Sequence, residues 1–423
     1  MGKHDGHPME RTYLIVSDMH FSTRSGEDEV DRFCAFLDWL EGGRGDAGED
    51  PPTLVVAGDF LNLDIIDYRE EPGSRLKSDA NLERIMRRFP RLASSLAAFL
   101  ARGGRLVLMA GNHDAELFDP AAARMLKNIL AGRLPEGKKG AIEGLDLGSP
   151  ARFLPGGNVH IEHGNRFDGD NAFERVSLPS VQRGELPLLP LGSLITRDLL
   201  SRIPELNWDG FFNKTPLPLF LTILRRHGVL GGLFIVWCYH RTAFTLMRES
   251  FRRKHDRGLR AVDGAIPTLH SPMRTMRRLY LDRSLPFAFF CFWLCAFPLV
   301  HCFAGLDIFL WGAAAFLAVI LAGLMEGNRY RETMFQACRR GAEGIAAGGK
   351  ARTVILGHTH VAETTGMNGG SDLYLNSGSF TQPVEEKGSP YVRLRLDGGV
   401  LREAELMFFE EVGLKSGDPK PNR

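Results

Sequence analysis

The sequence predicts an α/β fold, and three observations predict it. Short apolar, β-branched runs alternate with helical stretches. Each of those runs ends in a polar or glycine-containing cluster. The alternation stops near Pro187 and resumes near residue 350. Read in order, the elements are a strand at Tyr13 to Ser17, a helix over 29 to 40, a strand at Leu54 to Ala57, a helix over 81 to 101 and a strand at Leu106 to Ala110. Further strands are expected at Asn158 to Glu162, Thr353 to Leu356, Asp372 to Asn376 and Tyr391 to Leu396, the last turned by Asp397-Gly398-Gly399.

The chain has 423 residues, 44% hydrophobic and 24% charged, enough for a large folded domain plus an insertion. Lysine plus arginine (52) nearly balance aspartate plus glutamate (51), so overall charge gives no argument for a nucleic-acid partner. None of the six cysteines forms a Cys-x-x-Cys pair or a zinc-finger spacing, which fits a reduced, cytoplasm-facing protein without structural disulfides. The start, MGKHDGHPMERTYLIVSD, runs from a polar leader into a strand, without the apolar region and cleavage site of a secretory signal.

The clusters that end the strands carry the chemistry. They are Asp18-Met19-His20, Gly58-Asp59, Gly111-Asn112-His113-Asp114, His163-Gly164-Asn165 and Gly357-His358-Thr359-His360. Taken singly, each is a turn, a cap or a strand end. Together and in order, each directly after an apolar strand, they converge at the carboxyl edge of an α/β sheet, where ligands bind. Carboxylate, imidazole and amide oxygen without thiolate suit hard or borderline divalent ions such as Mn, Fe or Zn. Two such ions can clamp the attacking and leaving oxygens of a phosphoryl displacement and activate a water, so no serine or cysteine nucleophile is needed. His163 is preferred over His160 as a ligand because alternation puts His160 on one strand face with Glu162, whereas His163 stands at the strand end.

These blocks, SDMH, GDFLN, GNHD, EHGN and GHTH, resemble the signature blocks of the calcineurin-like metallophosphoesterases. The resemblance covers about residues 11 to 170 and 350 to 410. It implies a β-sandwich flanked by helices and a centre of two divalent ions. Asp18, His20, Asp59 and His360 would hold one ion, and Asp59, Asn112, His163 and His358 the other. It also implies that His113 sits beside the scissile phosphate, stabilising its charge or protonating the leaving oxygen, and that Asp114 orients His113. The second block often ends in an acid in this family but ends in Asn62 here, with Asp64 shortly after as the substitute. Arg166, Asp168, Asp170 and Asn171 follow the fourth block as a polar loop able to line a substrate pocket, and Asn376-Ser377-Gly378-Ser379 resembles the Asn-x-Gly segment that follows the last block.

On this reading residues 1 to 186 and 346 to 414 form the catalytic domain, 187 to 345 are a helical, membrane-associated insertion, and 415 to 423 are a disordered tail. Within the insertion, Leu285 to Phe303 and Ile308 to Met325 are uncharged runs of 19 and 18 residues, long enough for a transmembrane hairpin. Eleven Arg or Lys against four acids in 241 to 283, and further arginines after the hairpin, place both of its ends in the cytoplasm. Leu217 to Leu224 and Val229 to Tyr239, interrupted by Arg225-Arg226-His227, read as interfacial helix. The other reading of all these segments is buried helix in a soluble cytoplasmic protein. The expected location is the cytoplasmic face of the inner membrane, with a phosphoester substrate presented there. Among membrane-surface members the chain looks most like the UDP-diacylglucosamine pyrophosphatases, although that branch usually has arginine where His113 stands. The alternatives are a soluble-substrate phosphodiesterase, a nuclease, a protein phosphatase, or a non-enzymatic membrane scaffold with a relic site.

Overall fold

Alternation along the strands determines how the layers stack. In β1 (Glu10–Val16), Leu14 and Val16 face one way and Ile15 the other. The same split recurs in β2 (Thr53–Val56), with Leu54 and Val56 opposite Val55, and in β3 (Arg105–Leu108), with Leu106 and Leu108 opposite Val107. Each strand is therefore apolar on both faces, as a sheet covered on both sides must be. The computed structural model describes residues 10–41, 51–65, 78–154, 158–173, 188–201, 216–255, 264–282, 312–313, 316–317, 329–349 and 351–410. The expected tail 415–423 lies outside these, as does the expected hairpin but for residues 312–313 and 316–317, which are helical.

Two sheets result. With β4 (Leu145–Leu147), β10 (Ser389–Asp397) and β11 (Val400–Phe409), the first has the order β11-β10-β1-β2-β3-β4. Its β1 to β4 run parallel, while β10 is antiparallel to β1. The second contains β5 (Ala151–Leu154), β6 (Val159–Glu162), β7 (Thr353–Leu356), β8 (Ala362–Met367) and β9 (Asp372–Ser377), in the order β5-β6-β7-β9-β8. Ile15, Val55 and Val107 of the first sheet and Ile161, Ile355 and Leu375 of the second share one core, so the sheets form a sandwich.

Helices cover both outer faces. Against the first sheet lie α1 (Glu27–Glu41), α2 (Ser78–Arg88), α3 (Pro90–Ala101) and α4 (Pro120–Arg133), which bury Phe33, Phe36, Leu82, Leu96 and Leu126. Where the sequence suggested one helix over 81 to 101, there are two: Phe89 adopts φ −114° and ψ 71° before Pro90. A proline lacks the amide to continue the ladder and disfavours the helical conformation in the residue before it. The short strands β4, β5 and β8 were not legible, because three to six residues without clean alternation carry little period-2 signal.

The insertion has its own core. It comprises α5 (Leu191–Ile195), a π-helical turn at Thr196–Leu200, α6 (Pro216–His255) and α7 (Pro272–Arg278). Leu199, Ile235, Cys238, Leu246, Leu269 and Leu281 pack together. The two apolar stretches read separately in the sequence are helical segments of α6 on either side of Gly228, whose φ of 67° and ψ of −178° interrupt the helix. The final helix, α8 (Arg329–Ala347), returns to the sandwich, packing Cys338 and Ala342 against Val354 and Tyr374 on the outer face of the second sheet.

The core beside β1 is rich in aromatic rings: Phe36 stands 5.0 Å from Phe380, 5.3 Å from Phe409 and 5.4 Å from Tyr391, centroid to centroid. Phe36→Ala should cost about 3–5 kcal/mol of stability. Urea unfolding measures this, and a loss under about 1 kcal/mol would show that the cluster does not hold the α1 layer in place.

Candidate metal centre

The strand ends turn sharply, and the turning residues are the polar ones. Among the described residues nine non-glycine positions have positive φ, and five of these are Asp18, His20, Asp59, His358 and His360. The left-handed conformation is sterically costly for residues with a Cβ, though Asp, Asn and His tolerate it best. Its concentration here marks a site where side-chain placement has taken precedence over backbone ease. Close approach is also forced: a Cβ on Gly111 would lie 2.2 Å from Asp59 Oδ1, and one on Gly58 2.6 Å from the His163 ring.

Side chains from five strand ends meet in this space. The Nε2 atoms of His20 and His360 are 3.0 Å apart. Asp18 Oδ1 lies 3.3 Å from His360 Nε2, 3.7 Å from His20 Nε2 and 3.9 Å from His163 Nε2. Asp59 Oδ2 lies 3.1 Å from His163 Nε2 and 3.7 Å from His20 Nε2. Asn112 Oδ1 is 3.1 Å from the same nitrogen of His163. Three overlapping groups are close enough to hold an ion: Asp18 with His20 and His360, Asp18 with Asp59 and His163, and His20 with Asp59 and His113.

The hydrogen bonds around this cluster leave a defined set of atoms facing inward. Asp18 Oδ2 accepts from the Ser17 hydroxyl at 2.5 Å and from the His358 amide at 2.9 Å. Its Oδ1 is buried and has no hydrogen-bond partner, and the same holds for His20 Nδ1. Asp59 Oδ1 accepts from the His113 amide at 2.8 Å, and His163 Nδ1 lies 2.9 Å from the Ala57 carbonyl, which fixes Nε2 as the inward nitrogen. A buried carboxylate oxygen without a donor is costly unless a cation meets it. Oxygen and imidazole donors without thiolate fit hard or borderline divalent ions.

The charges respond to this crowding. Burial raises the Asp18 carboxyl, but the imidazoles of His163 and His360 outweigh it and hold it well below the usual range. Asp59 is held low in the same way, chiefly by His163 and His113 against its burial. Burial depresses His163, yet Asp59 and Asp18 push it up to about 10. His20 is lowered by burial.

His113 is buried beside the cluster, its ring 5.1 Å from that of His20. Its Nδ1 is 2.8 Å from Asp64 Oδ2. The expected orienting partner, Asp114, instead takes the Gly111 amide at 2.6 Å and the Leu61 amide at 3.2 Å, so it braces the loop backbone and Asp64 takes the orienting place. The physical reason is the three-residue turn, which folds Asp114 back beneath its own loop. Burial and Asp59 together raise the Asp114 carboxyl to about 7.

His358 is the one expected histidine ligand outside the three groups. Its ring lies 5.1 Å from that of His163, and its Nε2 is 3.2 Å from Asp168 Oδ2. Asp168 is thereby a supporting residue rather than part of an open polar loop. Asn171 donates to it at 2.8 Å, and Asn112 Nδ2 in turn reaches Asn171 at 3.4 Å. His160 faces away, 3.1 Å from Glu162. Ser17 and Ser377, which meet at 2.7 Å, and Ser379, which donates to the Asp18 carbonyl at 2.7 Å, give the Asn376-to-Ser379 segment a concrete role in fixing Asp18. No sequence signal singled out Arg197, whose Nε lies 2.5 Å from Asp64 Oδ1 and whose Nη2 bonds Glu116.

With strands, sandwich and donor cluster in place, the class is that of a metal-dependent phosphoester hydrolase. The calcineurin-like phosphoesterase family matches the chain over residues 11–231, more than half of its 423 residues, and the chain belongs to that family. The match ends before His358 and His360, which the fold brings to the same edge. No curated protein shows a significant match to the chain.

An imidazole must be neutral to ligate a metal. Because the His163 pKa is raised from 6.5 to about 10, the metal-free site holds a proton there at pH 8, and a divalent ion ligated by His163 would displace it. The stabilisation this proton gives the metal-free fold is complete below pH 6.5 and lost as pH rises through about 10. Titration calorimetry at pH 8 in buffers of different ionisation enthalpy should show buffer-dependent heats that shrink in His163→Gln. Heats independent of buffer in the wild type would contradict the assignment.

Proposed function

We propose that this phosphoesterase uses two divalent ions to cleave a phosphoester or pyrophosphate presented at a membrane surface. The observation that carries the metal part is the buried Asp18 Oδ1, which accepts no hydrogen bond and faces three imidazole nitrogens. On this reading Asp18, His20, Asp59 and His360 hold one ion, and Asp59, Asn112, His163 and His358 the other. His358 would offer Nδ1, since Asp168 engages its Nε2. Mn is the preferred ion, with Fe and Zn as alternatives. When bound, such ions clamp the attacking and leaving oxygens and acidify water.

The chain's own residues do the rest. Asp64 fixes the His113 tautomer through Nδ1, leaving Nε2 to stabilise charge on the phosphoryl group or to carry a proton to the leaving oxygen. Ser193 of α5 donates to the Asn112 carbonyl at 2.9 Å, so the insertion contacts a ligand loop directly.

The membrane part is supported by α6. One face of this helix buries Ile235, Cys238, Ala243 and Leu246 in the insertion core. Leu230 (84% exposed), Leu233, Phe234, Trp237, Phe244 and Phe251 stand outward at helical spacing, with Arg241 over the Trp237 ring at 5.6 Å. Leu224–Lys254 is long and apolar enough to cross a membrane. Its packed inner face and outward arginines favour a helix lying in the interface of an anionic bilayer. An amphipathic substrate such as a lipid-linked nucleotide pyrophosphate would meet the site there.

Purified protein with Mn should release UMP from UDP-diacylglucosamine, and Asp59→Asn should abolish that release. Cleavage of a chromogenic phosphodiester without UMP release would keep the metal hydrolase and discard the lipid-nucleotide substrate. Equal turnover of soluble and lipid-linked phosphates would discard the membrane part.

A further inference from the structure

The insertion also reaches the strand-end loops through Arg197, which lies in the π-helical turn Thr196–Leu200. Such turns are uncommon and often occur at functional sites. Arg197 Nε lies 2.5 Å from Asp64 Oδ1, while the other oxygen of Asp64 lies 2.8 Å from His113 Nδ1. Nη2 of the same guanidinium bonds Glu116. The main chain around Asp64 is held too: Ser201 Oγ donates to the Asp64 carbonyl at 3.0 Å, and Asn81 Nδ2 donates to those of Leu63 and Ile65 at 2.9 and 3.0 Å.

Asp64 and Glu116 are both buried. Two carboxylates so placed need a cation, and removing it leaves uncompensated buried charge. A guanidinium also fixes direction, because its planar fork engages both acids from one side chain. The carboxylate that orients His113 is thus itself oriented from the insertion.

We propose that Arg197 is a positioning residue, contributed by the insertion, that acts through Asp64 to hold His113 toward the scissile group. This rests on the assignment of His113 to the reacting phosphate. It makes the insertion part of the catalytic apparatus as well as a means of presenting substrate.

The rival explanation is that Arg197 is an ion-paired clasp attaching the insertion to the catalytic body. A mutant cycle separates the two, using Mn-loaded full-length protein and aryl phosphodiesters with good (4-nitrophenyl) and poor (phenyl) leaving groups. Arg197→Met should lower kcat about 10- to 100-fold, the range for lost supporting hydrogen bonds. KM should change little, and the loss should be greater for the phenyl ester if His113 protonates the leaving oxygen and equal for both esters if it stabilises phosphoryl charge. In the His113→Gln background the same substitution should cost nothing further. Arg197→Lys, which keeps the buried cation but not the fork, should recover part of the loss, and it carries the comparison if the Met variant fails to fold by thermal unfolding. Equal losses with and without His113 would overturn the proposal. A crippled His113→Gln beside a fully active Arg197→Met would overturn the Arg197 role alone, whereas a fully active His113→Gln would remove the His113 assignment and this proposal with it.

Discussion

Two carboxylates, Asp18 and Asp59, sit almost fully buried where the first sheet ends, and the rest of the site answers to their charge. Burying an ionised carboxylate costs several kcal/mol unless opposite charge and hydrogen bonds compensate it. Here each carboxylate commits one oxygen to the protein: Asp18 Oδ2 to Ser17 and the His358 amide, Asp59 Oδ1 to the His113 amide. The second oxygen of each points toward imidazole nitrogens. Backbone and hydroxyl donors on one side and imidazoles on the other thus hold each carboxylate between them. Left-handed backbone at Asp18, His20, Asp59, His358 and His360 is the conformational cost of that arrangement.

The sandwich exists to hold those ends in register. Parallel β1, β2 and β3 bring Asp18, Asp59 and Asn112 to one edge, and β6 and β7 of the second sheet deliver His163, His358 and His360 to the same place. Apolar residues on both faces of each strand lock the two sheets and their helices together. A shift of one residue in any strand would turn its ligand out of the site.

Much of this was legible from residues alone because strand period and strand-end polarity coincide. A run such as Leu54 to Ala57, capped by Gly58-Asp59, declares both a buried strand and the polar turn at its end. Asp64, Asp168 and Arg197 were less readable, since each acts through a partner distant in sequence, and a carboxylate in a polar loop looks the same whether it supports a histidine or faces water. The assignment of Asp114 as the orienting acid failed for the same reason: adjacency to His113 in sequence does not determine which carboxylate reaches its ring. In the insertion, hydropathy separated two stretches of α6 at Arg225-Arg226-His227, and the backbone leaves the helical conformation at the next residue, Gly228, where positive φ is inexpensive.

The central claim is that Asp18 and Asp59 organise a site for two divalent ions. The most direct measurement is metal content by mass spectrometry after Mn loading and gel filtration, for the wild type, Asp18→Asn and Asp59→Asn. The account predicts two Mn per chain in the wild type, one retained by Asp18→Asn, and none held tightly once the shared Asp59 is replaced. A wild type that binds a single ion, or an Asp59→Asn protein that keeps two, would contradict it.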